Sequence, residues 1–377
     1  MSLRIVCAGY LVRYPFGGHT WHHLQYLVGL LRLGHEVFFV EEAGWPDSCV
    51  ISAHRDTTSD PSHGLAYMSR VFEAHGLAGH WAYVDLDGTV HGVDRDDVRQ
   101  WCRQADLLLD LSGVTWLPEL EGVRRAALVD TDPVFTQVHA FGMGGDPDRY
   151  DVRFTYGENV HTPRSTMPTD GHTWLPTRQP VVLDLWPVTP VVAGAPWSTV
   201  MSWSNFGARV RNGVTYGHKD VEFPPYVDLP RRAAATMELA TRVPEAVATD
   251  LTDGGWQLAD PDLVSSDPGT YQRYLRASCG EFAVAKHAYV STRCGWFSDR
   301  SAGYLASGRP VVLQDTGYSD VLTTGEGLLP YTTPEEAVEA LAAVRAQPDR
   351  HAKAARHLAE TELSSDRVLT ELLERAL

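Results

Sequence analysis

Lysine is nearly missing from this chain: Lys219, Lys286 and Lys353 are the only three, so arginine supplies the rest of its 32 positive charges. Against them stand 48 aspartates and glutamates, for a net charge of −16. A surface that negative repels phosphate backbones and anionic lipid, which argues against nucleic acid or membrane as the main partner. It leaves room for a small basic pocket around one phosphorylated ligand. Cysteine is also scarce. Cys7, Cys49, Cys102, Cys279 and Cys294 form no C-x-x-C pair and no framework of short spacings, which reads as reduced thiols rather than disulfides or a zinc site. The longest near-apolar stretch, Leu24 to Leu33, falls far short of the roughly 20 residues that span a bilayer. The opening MSLRIVCAGYL lacks the basic region and long apolar run of a signal peptide, so a cytoplasmic protein is expected. Neither the G-x-G-x-x-G of a dinucleotide fold nor the G-K-S/T of a P-loop occurs where a strand would lead into a helix.

The composition that is present, 44% apolar and 21% charged over 377 residues, is that of a globular protein, and the length suggests two domains. Two alternating series of strands and helices bear this out in pattern. In the first, Leu3–Ala8 reads as a strand, Trp21, Leu24, Leu27, Val28 and Leu31 recur at helical spacing, and EVFFVEE is the next strand. Asp106–Leu111, Ala126–Asp130 and Val152–Tyr156 are further strands, with helices at Leu65–Ala74 and Asp96–Ala105. Seven prolines between His161 and Trp197 exclude continuous helix there and mark the interdomain connection, with Val181–Leu185 as one isolated strand. In the second series STVMSW, EAVATD, HAYVSTR and PVVLQD read as strands. Val227–Arg242, Tyr271–Val284 and Asp299–Ser307 read as helices, as does the alanine- and glutamate-rich tail from Pro334. Strands alternating with helices predict parallel sheets covered on both faces. The expected division is a domain over 1–175, a connection over 176–197, a second domain over 198–350 and a helical tail over 351–377.

In such sheets ligands bind beyond the carboxyl ends of the strands, so loops that follow strands carry the candidates. Between the first strand and first helix lies Pro15-Phe16-Gly17-Gly18-His19-Thr20, where glycine allows close backbone approach and the helix start offers free N–H groups. Its plainest reading is a glycine turn. His22 and His23 extend it to H-x-x-H-H, but no carboxylate or cysteine stands at ligand spacing, so no metal is expected.

The stretch PFGGHTWHHLQYLVGLLRLGHEVFFV resembles the opening of inverting glycosyltransferases of the GT-B fold, in which a Gly-His loop precedes an amphipathic helix. Gly18 and Gly34 are sixteen apart, as in that family. The resemblance implies that His19 is the general base that deprotonates an acceptor hydroxyl. A helix start disfavours the imidazolium and so suits that role. It also implies an orienting aspartate from a later strand: Asp110 is preferred slightly, with Asp130 and Asp132 as rivals for that role or for gripping the acceptor.

RCGWFSDRSAGYLASGRPVVLQDTG resembles the donor-binding region of the same fold. By that likeness the helix starting at Ser298, Asp299, Arg300 and Ser301 receives a diphosphate through N–H groups, hydroxyls and a guanidinium. Asp315 would meet sugar hydroxyls and Lys219 a phosphate. Trp203, Ser204 and Asn205 follow the domain's first strand and, like Gly18, would touch the donor. Retaining members carry two glutamates eight apart. Here those positions are Gly295 and Gly303, which favours inversion, and the His-x-Gly-Gly signature of the common antibiotic and plant enzymes is absent. The expectation is therefore an α/β protein with two Rossmann-like parallel-sheet domains facing across a cleft. It would move a sugar from a nucleoside-diphosphate sugar to a hydroxyl-bearing small molecule, such as a natural product, held by the first domain and the tryptophan-rich connection. No cofactor, metal or nucleic acid is called for, and a homodimer is compatible. The rivals are a sugar-nucleotide epimerase or phosphorylase of similar fold, and a non-catalytic sugar-nucleotide-binding subunit.

Overall fold

The computed structural model describes residues 2–51, 56–139, 147–204 and 207–377. Strands β1 Arg4–Ala8, β2 Glu36–Glu42, β3 Trp81–Val84, β4 Val90–Gly92, β5 Leu107–Leu111, β6 Ala126–Asp130, β7 Val152–Thr155 and β8 Leu175–Pro176 form one sheet in the order β8-β7-β6-β5-β1-β2-β3-β4. All neighbours run parallel except β3 and β4. A second sheet contains β9 Trp197–Val200, β10 Met237–Ala240, β11 Gln257–Ala259, β12 Gly280–Ala283, β13 Val311–Gln314 and β14 Leu328–Tyr331. Its order is β11-β10-β9-β12-β13-β14 and every pair is parallel. Both sheets step outward from their first strand in one direction and then the other, the doubly wound arrangement that opens a crevice at the reversal point. Helices cover both faces, which is why strands such as Val37–Val40 and Leu107–Leu109 are buried without interruption.

The helix Gly17–Arg32 joins the halves. Its apolar side packs on the first sheet, while the rings of Trp21 and Trp186 meet at 4.9 Å and one continuous core runs on to Leu275, Tyr304 and Leu305. No side chain of its own caps this helix. Ser265 of the second half does so instead, its carbonyl accepting from Gly17 N–H at 2.7 Å and its hydroxyl from Gly18 N–H at 3.2 Å. The last helix, Ser365–Ala376, returns to the first half, where Gly29 lies against Leu369 and Ser365, and Arg375 donates to the Pro176 carbonyl at 2.7 Å.

Several expected elements of the second half differ. EAVATD belongs to the helix Glu245–Gly254, and HAYVST forms the helix His287–Thr292. The helix expected over Val227–Arg242 is a single turn, Leu229–Ala233, followed by β10, and that over Tyr271–Val284 is Pro268–Ala277 followed by β12. These strands are four residues long and read Met-Glu-Leu-Ala and Gly-Glu-Phe-Ala, with helix-forming composition overridden by burial between neighbours. Val181–Leu185 is a single bridge from Val181 to Ser364 and then a 3₁₀ turn. Trp174, Trp186 and Trp197 of the connection are buried in the core, so they cannot hold an acceptor.

Candidate active site

The wall contributed by the first sheet is built on a buried carboxylate. Glu41, at the end of β2, accepts the N–H groups of Leu11, Val12 and Arg13 at 2.6, 2.7 and 2.9 Å. It also lies 3.4 Å from the Arg13 guanidinium. Burial pushes its carboxyl up to about 6 against the pull of Arg13 and those three bonds. Loop 9–16 is thereby fixed, and with it Tyr10, whose carbonyl accepts from His19 Nε2 at 2.7 Å. With the proton on Nε2, Nδ1 keeps the basic lone pair. Burial, with His23 and Arg13 adding to it, holds His19 well below the ordinary imidazole range, so the ring is neutral. His22 and His23 are pushed down to about 3, first by burial and then by the neighbouring imidazole. His23 donates from Nδ1 to the His19 carbonyl at 3.0 Å, locking this first helical turn.

The opposite wall is cationic. Arg300, in the first turn of the helix Asp299–Ala306, pairs with buried Glu281 and donates to the Val200 carbonyl at 3.0 Å, while its Nη2 has no partner. Buried Lys219 is driven well below the ordinary lysine range by desolvation and then by Arg300 and Lys286. Lys286 reaches across the cleft to Asp132, at 2.8 and 2.9 Å, where Tyr289 also donates. His19, His22, Tyr10, Ser112, Thr131 and Tyr156 from one side and Trp296 and Asp299 from the other line a single cavity of about 110 Å³. His22 Nδ1 stands 3.8 Å from the Asp299 carboxylate across it.

Among the expected site residues, His19 and Asp299 line this cavity, while Arg300 lines an adjoining small cavity with His22 and Asp299 and has Lys219 beside it in charge contact. Ser298 and Ser301 are buried at the same helix start, the Ser301 hydroxyl without a partner. Others are engaged elsewhere. Asp110 does not touch His19: it accepts from the Tyr150 hydroxyl at 2.6 Å and from Gly113 N–H, and burial raises it to about 6. Asp130 is spent on Gln137, Thr155 and the Asp132 N–H, so it supports the loop rather than gripping an acceptor. Asp132 faces the cleft but is held by Lys286. Asp315 caps its own turn through Gly317 and Ser319. Gly18 has its N–H on Ser265 and the Tyr271 ring beside it, and lines a small cavity with His22, Asp299 and Arg300. Ser204 is exposed beside Gly207, His218 and Asp220 in a separate cavity of about 250 Å³, and Asn205 lies outside the described residues.

Glu41 is not among the candidates the sequence offers, and Glu281 and Lys286 are visible there only as residues near a helix and a strand that carry no stronger mark. The rarity of lysine was the one signal for Lys286; nothing local marks the two glutamates, whose partners are remote in the chain. Glycine occupies both positions where the resemblance looked for glutamate, and the surroundings of each are tight. Gly295 has φ +84°, and a Cβ on it would fall 2.7 Å from the Asn159 nitrogen, while one on Gly303 would meet the Trp186 ring at 3.0 Å. Among the described residues no group of histidine, cysteine, aspartate and glutamate is arranged to hold a metal ion, and no helix is long and apolar enough to cross a membrane.

Two doubly wound sheets facing across a cleft, with a terminal helix crossing back, define the GT-B fold. No protein-family model matches the chain, and no curated protein matches it in sequence. Its fold is shared with an alpha-glucosyltransferase in complex with UDP-glucose and DNA containing an abasic site, at TM-score 0.61 and 12% identity over the whole of both chains. It is shared also with AviGT4, a glycosyltransferase involved in avilamycin A biosynthesis, at TM-score 0.56 and 14% identity over 99% of this chain and 97% of that one. Sucrose-phosphate synthase from Thermosynechococcus elongatus matches at TM-score 0.53 and 10% identity over 99% of this chain and 98% of its own.

Proposed function

We propose that this protein is a glycosyltransferase that takes its sugar from a nucleoside diphosphate. The observation that carries the reading is a cleft with two unlike walls: a neutral imidazole on the first, and on the second the helix start at Asp299 and Arg300, with Lys219 and Lys286 in charge contact behind it. The cationic wall offsets the charge of the departing diphosphate, and His19 Nδ1 takes the proton from the attacking hydroxyl. The similar structures carry UDP or UDP-glucose, which makes uridine nucleotides the first donors to try. Inversion without a divalent ion is the outcome this arrangement favours, because glycine stands at 295 and 303 in place of the two glutamates of retaining enzymes, and basic groups already stand where a metal would act. One similar structure contains DNA, but a net charge of −16 speaks for a hydroxylated small molecule as acceptor here.

The test runs in two stages. A thermal-shift panel of UDP, GDP, TDP and ADP should single out one base; a ligand at 100 times its Kd stabilises by about 2.7 kcal/mol. Turnover of the matching UDP- or other nucleotide-sugar then separates an enzyme from a binding subunit. An NMR assignment of the product anomer reads the stereochemistry, and retention or loss of activity in EDTA would each remove its part of the proposal.

A further inference from the structure

Among the described residues the large aromatic side chains are mostly buried, and the exposed ones gather in one place. Tyr14, Trp45 and Trp116 are 36%, 49% and 38% exposed. They lie on the loops that follow β1, β2 and β5, which brings them to the carboxyl edge of the first sheet, on the acceptor side of the cleft. Tyr14 and Tyr10 lie 6.1 and 4.3 Å from the His19 ring. Arg13, buried beneath, stands 5.3 Å from the Trp45 ring and 5.5 Å from Tyr10, and donates to the Val114 carbonyl two residues before Trp116. Gly44 has no side chain to collide with that guanidinium: a Cβ there would fall 2.7 Å from it. The Glu42 carboxylate takes the Trp116 N–H. The rings are therefore held from below rather than left loose, and their surfaces are open to solvent.

We infer that these rings are stacking surfaces for a glycan, and that the acceptor is itself a sugar chain or a glycosylated molecule. This rests on the reading of the first wall as the acceptor side. A pyranose presents an apolar C–H face and a rim of hydroxyls, so it needs an aromatic surface beside polar groups. Those are the surroundings here: single rings on separate loops, interspersed with Glu42, Ser112 and Thr131. A flat hydrophobic aglycone would instead call for one continuous apolar slot, and a polyanionic acceptor is disfavoured by the charge of the whole protein. Preorganised rings lose little freedom on binding, which is how exposed aromatics become strong anchors.

The test needs no donor and no turnover. Full-length protein is applied to an array of immobilised neutral oligosaccharides together with flat aromatic aglycones, and the best binder is titrated by saturation-transfer NMR. Trp45→Ala and Trp116→Ala should each weaken glycan binding about tenfold, with Trp45→Phe retaining most of it. The thermal shift with the nucleotide should stay at the wild-type value in all three, which keeps this result separate from the donor assignment and reports folding. Where turnover is measurable, the acceptor KM should rise while kcat and the donor KM hold. Binding to aglycones alone, no glycan binding, or glycan binding unchanged in both alanine variants would each overturn the inference.

Discussion

The two walls of the cleft handle charge in opposite ways. On the first, three histidines within one helical turn are buried together and kept neutral, and the nearby carboxylates are committed: Glu41 to backbone N–H groups, Asp110 to Tyr150, Asp130 to Gln137 and Thr155. On the second, three basic side chains crowd together with two carboxylates of their own wall, Glu281 and Asp299, and one borrowed across the cleft, Asp132. A neutral wall suits an uncharged hydroxyl and the removal of its proton. A wall of clustered basic groups at a helix start suits an anion, and Arg300 Nη2 and the Ser301 hydroxyl are the groups left without a partner for it to satisfy.

This contrast is open to attack at its strongest point first. His19→Ala should lower transfer by roughly 10²–10⁴-fold, the usual contribution of a general base, with nucleotide affinity by calorimetry within about twofold of wild type. Full turnover in that variant would remove the neutral wall from the chemistry. On the other wall, Lys219→Met keeps the stem and deletes a desolvated charge. It should weaken nucleoside-diphosphate binding by about 10–100-fold without lowering the melting temperature, the loss of one charge-assisted bond.

Next in size is a pH effect on stability. His22 and His23 have folded-state pKa values near 3, below the unfolded value of about 6.5. The unfolded chain therefore binds protons that the folded chain does not. The stability they support is complete above pH 6.5 and is lost as pH falls toward 3, at about 1.4 kcal/mol per pH unit for each ring. Urea unfolding at pH 7 and pH 5 should show this slope, shallower by one ring in His22→Phe. An equal slope in the two proteins would show that His22 is not held neutral. Smallest is Asp132→Asn. Asp132 is partly exposed, so the pair with Lys286 is screened and its removal should cost no more than about 1 kcal/mol. Nucleotide binding should tighten, since Lys286 is released from its carboxylate; weaker binding would place Asp132 on the donor side instead.

Legibility in the sequence followed the length of the signal. EVFFVEE, AALVD and the sixteen-residue first helix are long or strongly apolar, and each is found within a residue or two of where the pattern puts it. The four-residue strands β10 and β12 are too short to show a period, and HAYVST, with β-branched and aromatic residues, folds as a helix because its place after β12 lets its N–H groups reach the carbonyls of Gly217 and His218. His19 was visible because it sits in the first turn of a helix that follows a strand; Arg300 also sits at a helix start, but the element before it is the helix His287–Thr292 and not the strand the pattern suggests.

By itself, then, the sequence determined the two α/β series, the loops that must lie at the carboxyl ends of strands, and the absence of carboxylates at 295 and 303. Only the tertiary structure decided which groups at those loops are free. Asp110 was a sound candidate by position and is spent on a tyrosine forty residues away; the Gly18 N–H is taken by a serine 247 residues away. A hydrogen-bonding group bonds to whichever neighbour the fold brings within about 3 Å, and in a parallel sheet protein that neighbour comes from a remote crossover, which no local pattern encodes.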